Sequence, residues 1–246
     1  MRFKPSILSF ILLSLFLQSS FGQGPDPLNT AANISWMKPS EKEMIREINL
    51  LRSDPGGYIV YVEEYVGEMM KSPGMIGSGQ KTYSLTYKYE TINGIEKLVS
   101  IDTSWLDAPE DESGAIESLK KDLQSTKPLS ILKPDKGIYE AVKKYARDQD
   151  QHNWDLVHID SDGKWPWHRI RENSPSMADG NENIAGRFPE PTVRQIVIQL
   201  LIDTGIPGYG HRYNLLDTRW THIACYDGGL HDGMYRWLQN FGTVSP

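Results

Sequence analysis

A single cysteine in 246 residues leaves nothing to cross-link. Cys225 has no intramolecular disulfide partner, so the fold must be held by its core. Within "THIACYDGG" that cysteine reads as a small buried apolar residue rather than as a nucleophile. Positive charge is also in deficit: Lys+Arg 26 against Asp+Glu 32 give a net charge of -6. No diffuse cationic field exists to attract phosphate backbones, which excludes nucleic acid as a partner class. Internal repeats and low-complexity tracts are missing too, and 39% hydrophobic with 24% charged residues is the balance of an ordinary single globular domain.

Long apolar runs are confined to the start of the chain. Arg2 and Lys4 precede an apolar stretch from Ile7 to Leu17, followed by the small residues Ser19, Ser20 and Gly22. That order is the layout of a secretory signal peptide, over residues 1–22, and the run is shorter than the roughly 20 residues that span a bilayer. Cleavage is expected near Gly22, with a secreted or periplasmic destination and no transmembrane segment afterwards. Asn33-Ile34-Ser35 is a glycosylation sequon, which matters only in a host that modifies it.

Several catalytic signatures are absent. The chain has no H-E-x-x-H zinc helix, no G-x-S-x-G nucleophile elbow and no phosphate-cradling G-x-x-x-x-G-K-[ST] loop. "DSDG" at 160–163 resembles part of a calcium loop but lacks the third ligand position and the closing glutamate. Any hydrolysis would have to use water directly.

Residues 23–39 are rich in Pro, Asn and Gly and read as a flexible lead-in to one domain over 40–246. Ser40 with Glu43 offers a capping box, and Met44, Ile45, Ile48 and Leu51 then fall on one helical stripe that Asp54-Pro55-Gly56-Gly57 interrupts. Strand-favouring residues on either side of Asn93-Gly94 predict a hairpin, inside a Tyr-rich stretch over about 72–112. "AIESLKKDLQ" and "DKGIYEAVKKYARDQDQH" predict helices, the second capped by Asp135. "PTVRQIVIQLLIDTG" is read as a helix despite its Val and Ile, because Pro191, Gly205 and the spacing of Val193, Ile196, Val197, Leu200 and Leu201 favour one. Two strand-like segments, "WTHIACYD" and "MYRWLQNFG", close the chain around the polar "GGLHDG". Helices mixed with antiparallel hairpins predict a layered α+β domain.

Three segments combine a titratable residue with Gly or Asn, the composition of loops that carry function: "DLVHIDSDGKWPWHRI" with His158, "GNENIAG" with Glu182 and "YGHRYNLLD" with His211. Their order, followed by "YRWLQNFG", resembles the CAP superfamily of cysteine-rich secretory, antigen 5 and pathogenesis-related proteins. The likeness is strongest to its bacterial, SCP-like extracellular branch. It runs from about Ser40 to Gly242, and the 72–112 stretch stands as an insertion.

The resemblance implies a three-layer α-β-α sandwich with a central antiparallel sheet, and a cleft lined by two histidines and two acids. His158 and His211 match the histidines and Glu182 the first acid. The family's second glutamate belongs on the helix "VRQIVIQLLID", which has none, and Asp203 at its end is the nearest acidic residue.

Two imidazoles with a carboxylate nearby can ligate a divalent metal such as zinc, and the carboxylate can instead orient a histidine from behind. Three readings follow. The cleft binds a metal and an extracellular lipid, sterol, glycan or peptide, with Trp165 and Trp167 supplying flat apolar area or simply packing the loop. Alternatively, Glu182 activates water in a metal-assisted hydrolase. In the third, the constellation is a structural polar network in which Arg212 pairs with Asp217 and Asn214 bonds backbone. His152 is expected at a solvated helix end, and His231 on the surface of the last turn.

Overall fold

The computed structural model describes residues 26–71, 83–92, 95–105, 112–152, 157–187, 190–231 and 233–244. The expected signal peptide and its cleavage point lie outside the described residues.

Helix α1 spans Pro39–Ser53 and begins ahead of the expected Ser40 cap. Pro39 suits the first helical turn, where its missing N–H costs nothing. Glu41, rather than Glu43, reaches back to accept the Lys38 N–H at 2.7 Å. The Ser40 hydroxyl instead donates to Asp227 Oδ2 at 2.7 Å, tying the helix start to the sheet. Met44, Ile45, Ile48 and Leu51 are fully buried, as the stripe predicts. The stretch read as a flexible lead-in is packed from Asp26 onward: Ala31 and Met37 are buried, and Thr30 donates to the Leu132 carbonyl. The cause is Asn49, a buried amide on α1 whose Nδ2 reaches the carbonyls of Leu28 and Leu132 and so pins both segments.

Helix α2, Ile59–Lys71, is not anticipated by the pattern and buries only Val62. The expected hairpin is present as β1 (Tyr83–Ile92) and β2 (Ile95–Trp105), antiparallel with Ile92 opposite Ile95. Asn93-Gly94 themselves fall outside the described residues. Helix α3 covers Glu112–Ser125. The two-residue strand β3 (Lys133–Pro134) precedes α4, Lys136–His152, where Asp135 accepts the Ile138 N–H at 2.8 Å as the predicted cap.

The remaining elements are α5 (Pro166–Asn173), β4 (Met177–Arg187), α6 (Val193–Ile202), a 3-10 turn (Pro207–Tyr209), α7 (Gly210–Leu216), β5 (His222–His231) and β6 (Met234–Val244). Thr192 and Gln195 close a reciprocal capping box on α6. Two segments read as loops are regular. "GNENIAG" lies within β4, and "GHRYNLL" is α7. Local composition loses here to pairing: every residue from Gly180 to Arg187 has a partner on β6.

The second sheet has the order β3-β5-β6-β4. Its three long strands are antiparallel, whereas β3 runs parallel to β5, so the sheet is mixed rather than purely antiparallel. Arg236 to Gly242 on β6 are buried without a break, which requires cover on both faces. Helices α4 and α5 supply one layer. Their approach is close: a Cβ at Gly180 would fall 2.5 Å from Ile170 on α5, and one at Gly242 would fall 2.7 Å from Ile138 on α4. On the other face α1, α6 and α7 pack together, with Gln239 of β6 touching Met44 of α1. The α+β class and the α-β-α layering expected from the sequence are thus observed. No helix of the described residues is long and apolar enough to cross a membrane.

Candidate functional site

Strand β4 lies at the edge of the sheet, and alternation sends Glu182 towards the α4/α5 layer and Asn183 towards the α1/α6/α7 layer. Glu182 is buried and accepts from His158 at 3.1 Å (Nδ1 to Oε1). Arg169 of α5 grips the same carboxylate, its Nη2 lying 3.1 Å from Oε1 and 3.0 Å from Oε2. The other Arg169 terminal nitrogen donates to the carbonyls of His158 and Lys164 at 2.9 and 2.7 Å, which fixes the loop that carries His158. Beneath it the guanidinium stacks on the Tyr145 ring, 3.6 Å from the centroid, and the Tyr145 hydroxyl donates to the Val157 carbonyl. His158 is therefore held from both ends of its loop.

The second pair forms across the end of α6. Asp203 caps that helix in the left-handed conformation, φ 56° and ψ 36°. The reversal turns its side chain toward α7, where Oδ2 accepts the His211 N–H at 2.9 Å and Oδ1 meets His211 Nδ1 at 2.6 Å. Each histidine thus has a buried carboxylate on Nδ1. That contact favours the tautomer with Nδ1 protonated and leaves Nε2 as the ligand-facing nitrogen. The His158 side chain is 32% exposed and that of His211 18%, whereas the Glu182 and Asp203 side chains are at 0% and 2%. Solvent meets the imidazoles, not the acids.

An amide network binds the two halves to β4. Asn214 of α7 donates to the Asn183 side chain at 2.8 Å and the Glu182 carbonyl at 3.4 Å, and accepts from Asn181 at 2.9 Å. Asn183 in turn donates to the His211 carbonyl at 3.2 Å. Both histidines are consequently anchored through neighbouring residues of one edge strand.

The arrangement limits the chemistry. Glu182 engages Arg169 and His158 and Asp203 engages His211, and with side-chain exposures of 0% and 2% neither carboxylate is open to water. Among the described residues no group of three or more His, Cys, Asp or Glu side chains is gathered to hold a metal ion. The two Nε2 atoms by themselves would be one donor short of the three protein ligands usual in catalytic zinc sites.

The other expectations divide. Arg212 does not pair with Asp217. Its guanidinium turns back over the end of α6, donating to the Leu201 and Ile202 carbonyls and pairing with Asp122 at 2.8 Å, whereas Asp217 is taken by Arg219 at 2.7 Å. The exposed carbonyls at a helix end attract the nearer cation. Trp165 and Trp167 stack on each other, centroids 5.2 Å apart and planes 7° from parallel, and both are half-buried. His152 is exposed at the end of α4, its Nδ1 2.9 Å from the Asp148 carbonyl. His231 is half-buried, 3.5 Å from Asp150. Cys225 is a free, buried thiol whose pKa burial pushes well up. Arg169 is the site residue that sequence reasoning missed. The signal was available, since an arginine on the stripe of Pro166 and Ile170 needs a buried carboxylate.

No protein-family model matches the chain, and no curated protein does. Among solved structures it is similar to an outer surface protein of Borrelia burgdorferi, 22% identical over 55% of this chain and 90% of that one, with a TM-score of 0.41. It is also similar to an extracellular protein containing an SCP domain from Bacillus anthracis. That match has 17% identity, covers 58% of this chain and 46% of the other, and has a TM-score of 0.35.

Proposed function

We propose that the chain is an exported CAP-like recognition domain that contacts its ligand through the Nε2 atoms of His158 and His211, and that it is not a hydrolase driven by Glu182. The observation that carries this reading is the double occupation of both acids. A general base needs a lone pair open to water, and here both carboxylates are buried and engaged, Glu182 by Arg169 and His158 and Asp203 by His211. The motif order, the layered α+β architecture and a carboxylate behind each histidine support the CAP-like assignment. The charged, apolar-run leader over residues 1–22 supports export.

A divalent cation such as zinc is the first ligand to test. His158 and His211 would hold it, with remaining positions taken by water or by donors of an extracellular ligand. When bound, such an ion would polarise the ligand's oxygen atoms. Two neutral imidazoles make a weak site, in which metal and protons compete for the same nitrogens.

The test is zinc titration by calorimetry on the chain from Gln23 onward, at neutral and mildly acidic pH, beside His158→Ala/His211→Ala. Binding at neutral pH that vanishes in acid and in the double variant is expected. A well-folded parent that takes up no zinc would remove the metal from this reading. Turnover of a peptide or polymer substrate that Glu182→Gln abolishes without unfolding would overturn the reading itself.

A further inference from the structure

A cleft opens beside Arg169. It lies between α4, α5 and the loop that follows His158, and has a volume of about 260 Å³. That is just under the range of about 300–1,000 Å³ typical of drug-sized sites, so it suits one small unit of a larger ligand. Its walls alternate in charge: Lys144 and Lys164 stand among Asp148, Asp160, Asp162 and Glu172. Lys164 Nζ bonds Glu172 at 2.9 Å, and Lys144 Nζ bonds Asn173. Asp160 Oδ1 takes the backbone N–H groups of Asp162 and Lys164 at 3.1 and 2.7 Å, leaving Oδ2 as the acceptor not committed among the described residues. Burial pushes the Asp160 carboxyl above its ordinary pKa, the mark of a group shielded from bulk water.

The chemistry of this wall excludes several occupants. An anion meets four carboxylates against three cations. An apolar ligand finds only Ala141 and the Tyr145 ring. A divalent ion finds no gathered group of three carboxylates among the described residues, with Asp148 taken by the backbone N–H and hydroxyl of Ser161 at 2.8 and 2.5 Å and Glu172 by Lys164. A polyhydroxyl ligand is different, because each hydroxyl both donates and accepts and can use neighbouring lysines and carboxylates at once. Next along the chain from Lys164 stands the half-exposed Trp165–Trp167 stack, a flat apolar face of the kind on which the C–H side of a sugar ring lies.

We propose that this cleft and the adjoining tryptophan pair form a saccharide subsite for a neutral or amino sugar, separate from the histidine pair. The inference rests on the reading of the chain as a recognition domain and is independent of any metal. It narrows the ligand to a glycan and places one of its sugars beside Arg169, the residue that holds Glu182.

The experiment is titration of the folded chain, followed by tryptophan fluorescence and calorimetry, with three tetrasaccharides: chitotetraose (neutral), its deacetylated form (cationic) and a hyaluronan tetramer (anionic). The neutral or the cationic sugar is expected to bind with a Kd of about 1 mM or tighter, and hyaluronan at least about tenfold more weakly. Trp167→Ala and Asp160→Asn should each weaken binding about tenfold or more, with the melting temperature of each variant confirming its fold. Zinc uptake by Asp160→Asn should match that of the parent, so loss of the zinc site and loss of this subsite are read separately. Absence of binding by both the neutral and the cationic sugar would overturn the proposal. So would preference for hyaluronan, or full affinity in both Trp167→Ala and Asp160→Asn.

Discussion

Arg169 and Glu182 form a two-point ion pair in the interior, at 3.1 and 3.0 Å, with side-chain exposures of 5% and 0%. Neither charge has another full counter-charge within its hydrogen-bonding contacts, and His158 leans on the same carboxylate. Glu182→Gln would leave the guanidinium buried without a counter-charge. We expect a loss of about 3–5 kcal/mol, measurable by urea unfolding. A variant as stable as the parent would mean that the pair does not hold the loop. This also sets a condition on catalytic tests, since a dead Glu182 variant counts only if it is folded.

Asp203 does two jobs that substitutions can separate. Its backbone holds the left-handed turn at φ 56°, and its side chain holds His211. Asn tolerates that conformation, whereas Ala pays about 1–2 kcal/mol for it. Asp203→Asn should therefore melt closer to the parent than Asp203→Ala does. Both should weaken zinc binding about 10–100-fold, because the imidazole loses its charged acceptor. Calorimetry beside thermal melts separates the two effects, and unchanged zinc affinity in Asp203→Asn would show that the carboxylate does not tune His211.

How much of this was legible in the sequence depends on what each segment's structure answers to. Helices α4 and α6 were readable because caps and periodicity act locally: Asp135 bonds where its position predicts, and Val193, Ile196, Val197, Leu200 and Leu201 are buried on α6 as their spacing predicts. Strand β4 was not, because Asn181 and Asn183 are loop formers until Asn214 and Gln239 satisfy their amides from elsewhere in the fold. The same holds at the site. His158, Glu182 and His211 were named from motif order, but Asp203 stood only as the nearest acid. Its bond to His211 depends on a backbone reversal that composition does not encode. Arg212 was assigned to Asp217 by nearness in sequence, whereas space favours Asp122 and the end of α6.

Arg52 shows how an unpaired buried cation can be tolerated. It is fully buried on α1, and its donors go to the carbonyls of Ser130, Leu215, Asp217 and Trp220 at 2.9 to 3.4 Å. Burial lowers its pKa to about 10, with the Asp217 charge pulling the other way, so it stays protonated at neutral pH. Arg52→Met keeps the stem but orphans four carbonyls. At about 1–3 kcal/mol for each buried group left unpaired, unfolding at ordinary temperature is the expected result. A Met variant with a parent-like melting temperature would show that water replaces the guanidinium there.

Asp160 carries a pH signature whose sign is fixed by its surroundings. Desolvation raises its pKa above the ordinary 3.8, with the nearby charges of Asp148 and Asp162 adding to the rise and the Lys164 N–H and Arg169 opposing it. The folded chain therefore keeps this proton to higher pH than the unfolded chain does. The group's contribution is full below the unfolded carboxyl value and is lost as pH rises through the folded one. Asn at 160 still accepts the two backbone N–H groups through its carbonyl but never ionises. Relative to the parent, Asp160→Asn should thus gain stability progressively as pH climbs from about 4, while the loss of its carboxylate weakens saccharide binding. Chemical denaturation of both proteins at a series of pH values checks the first effect. A stability difference that stays flat across the acidic range would mean that solvent reaches Asp160 and that the cleft is wetter than its geometry indicates.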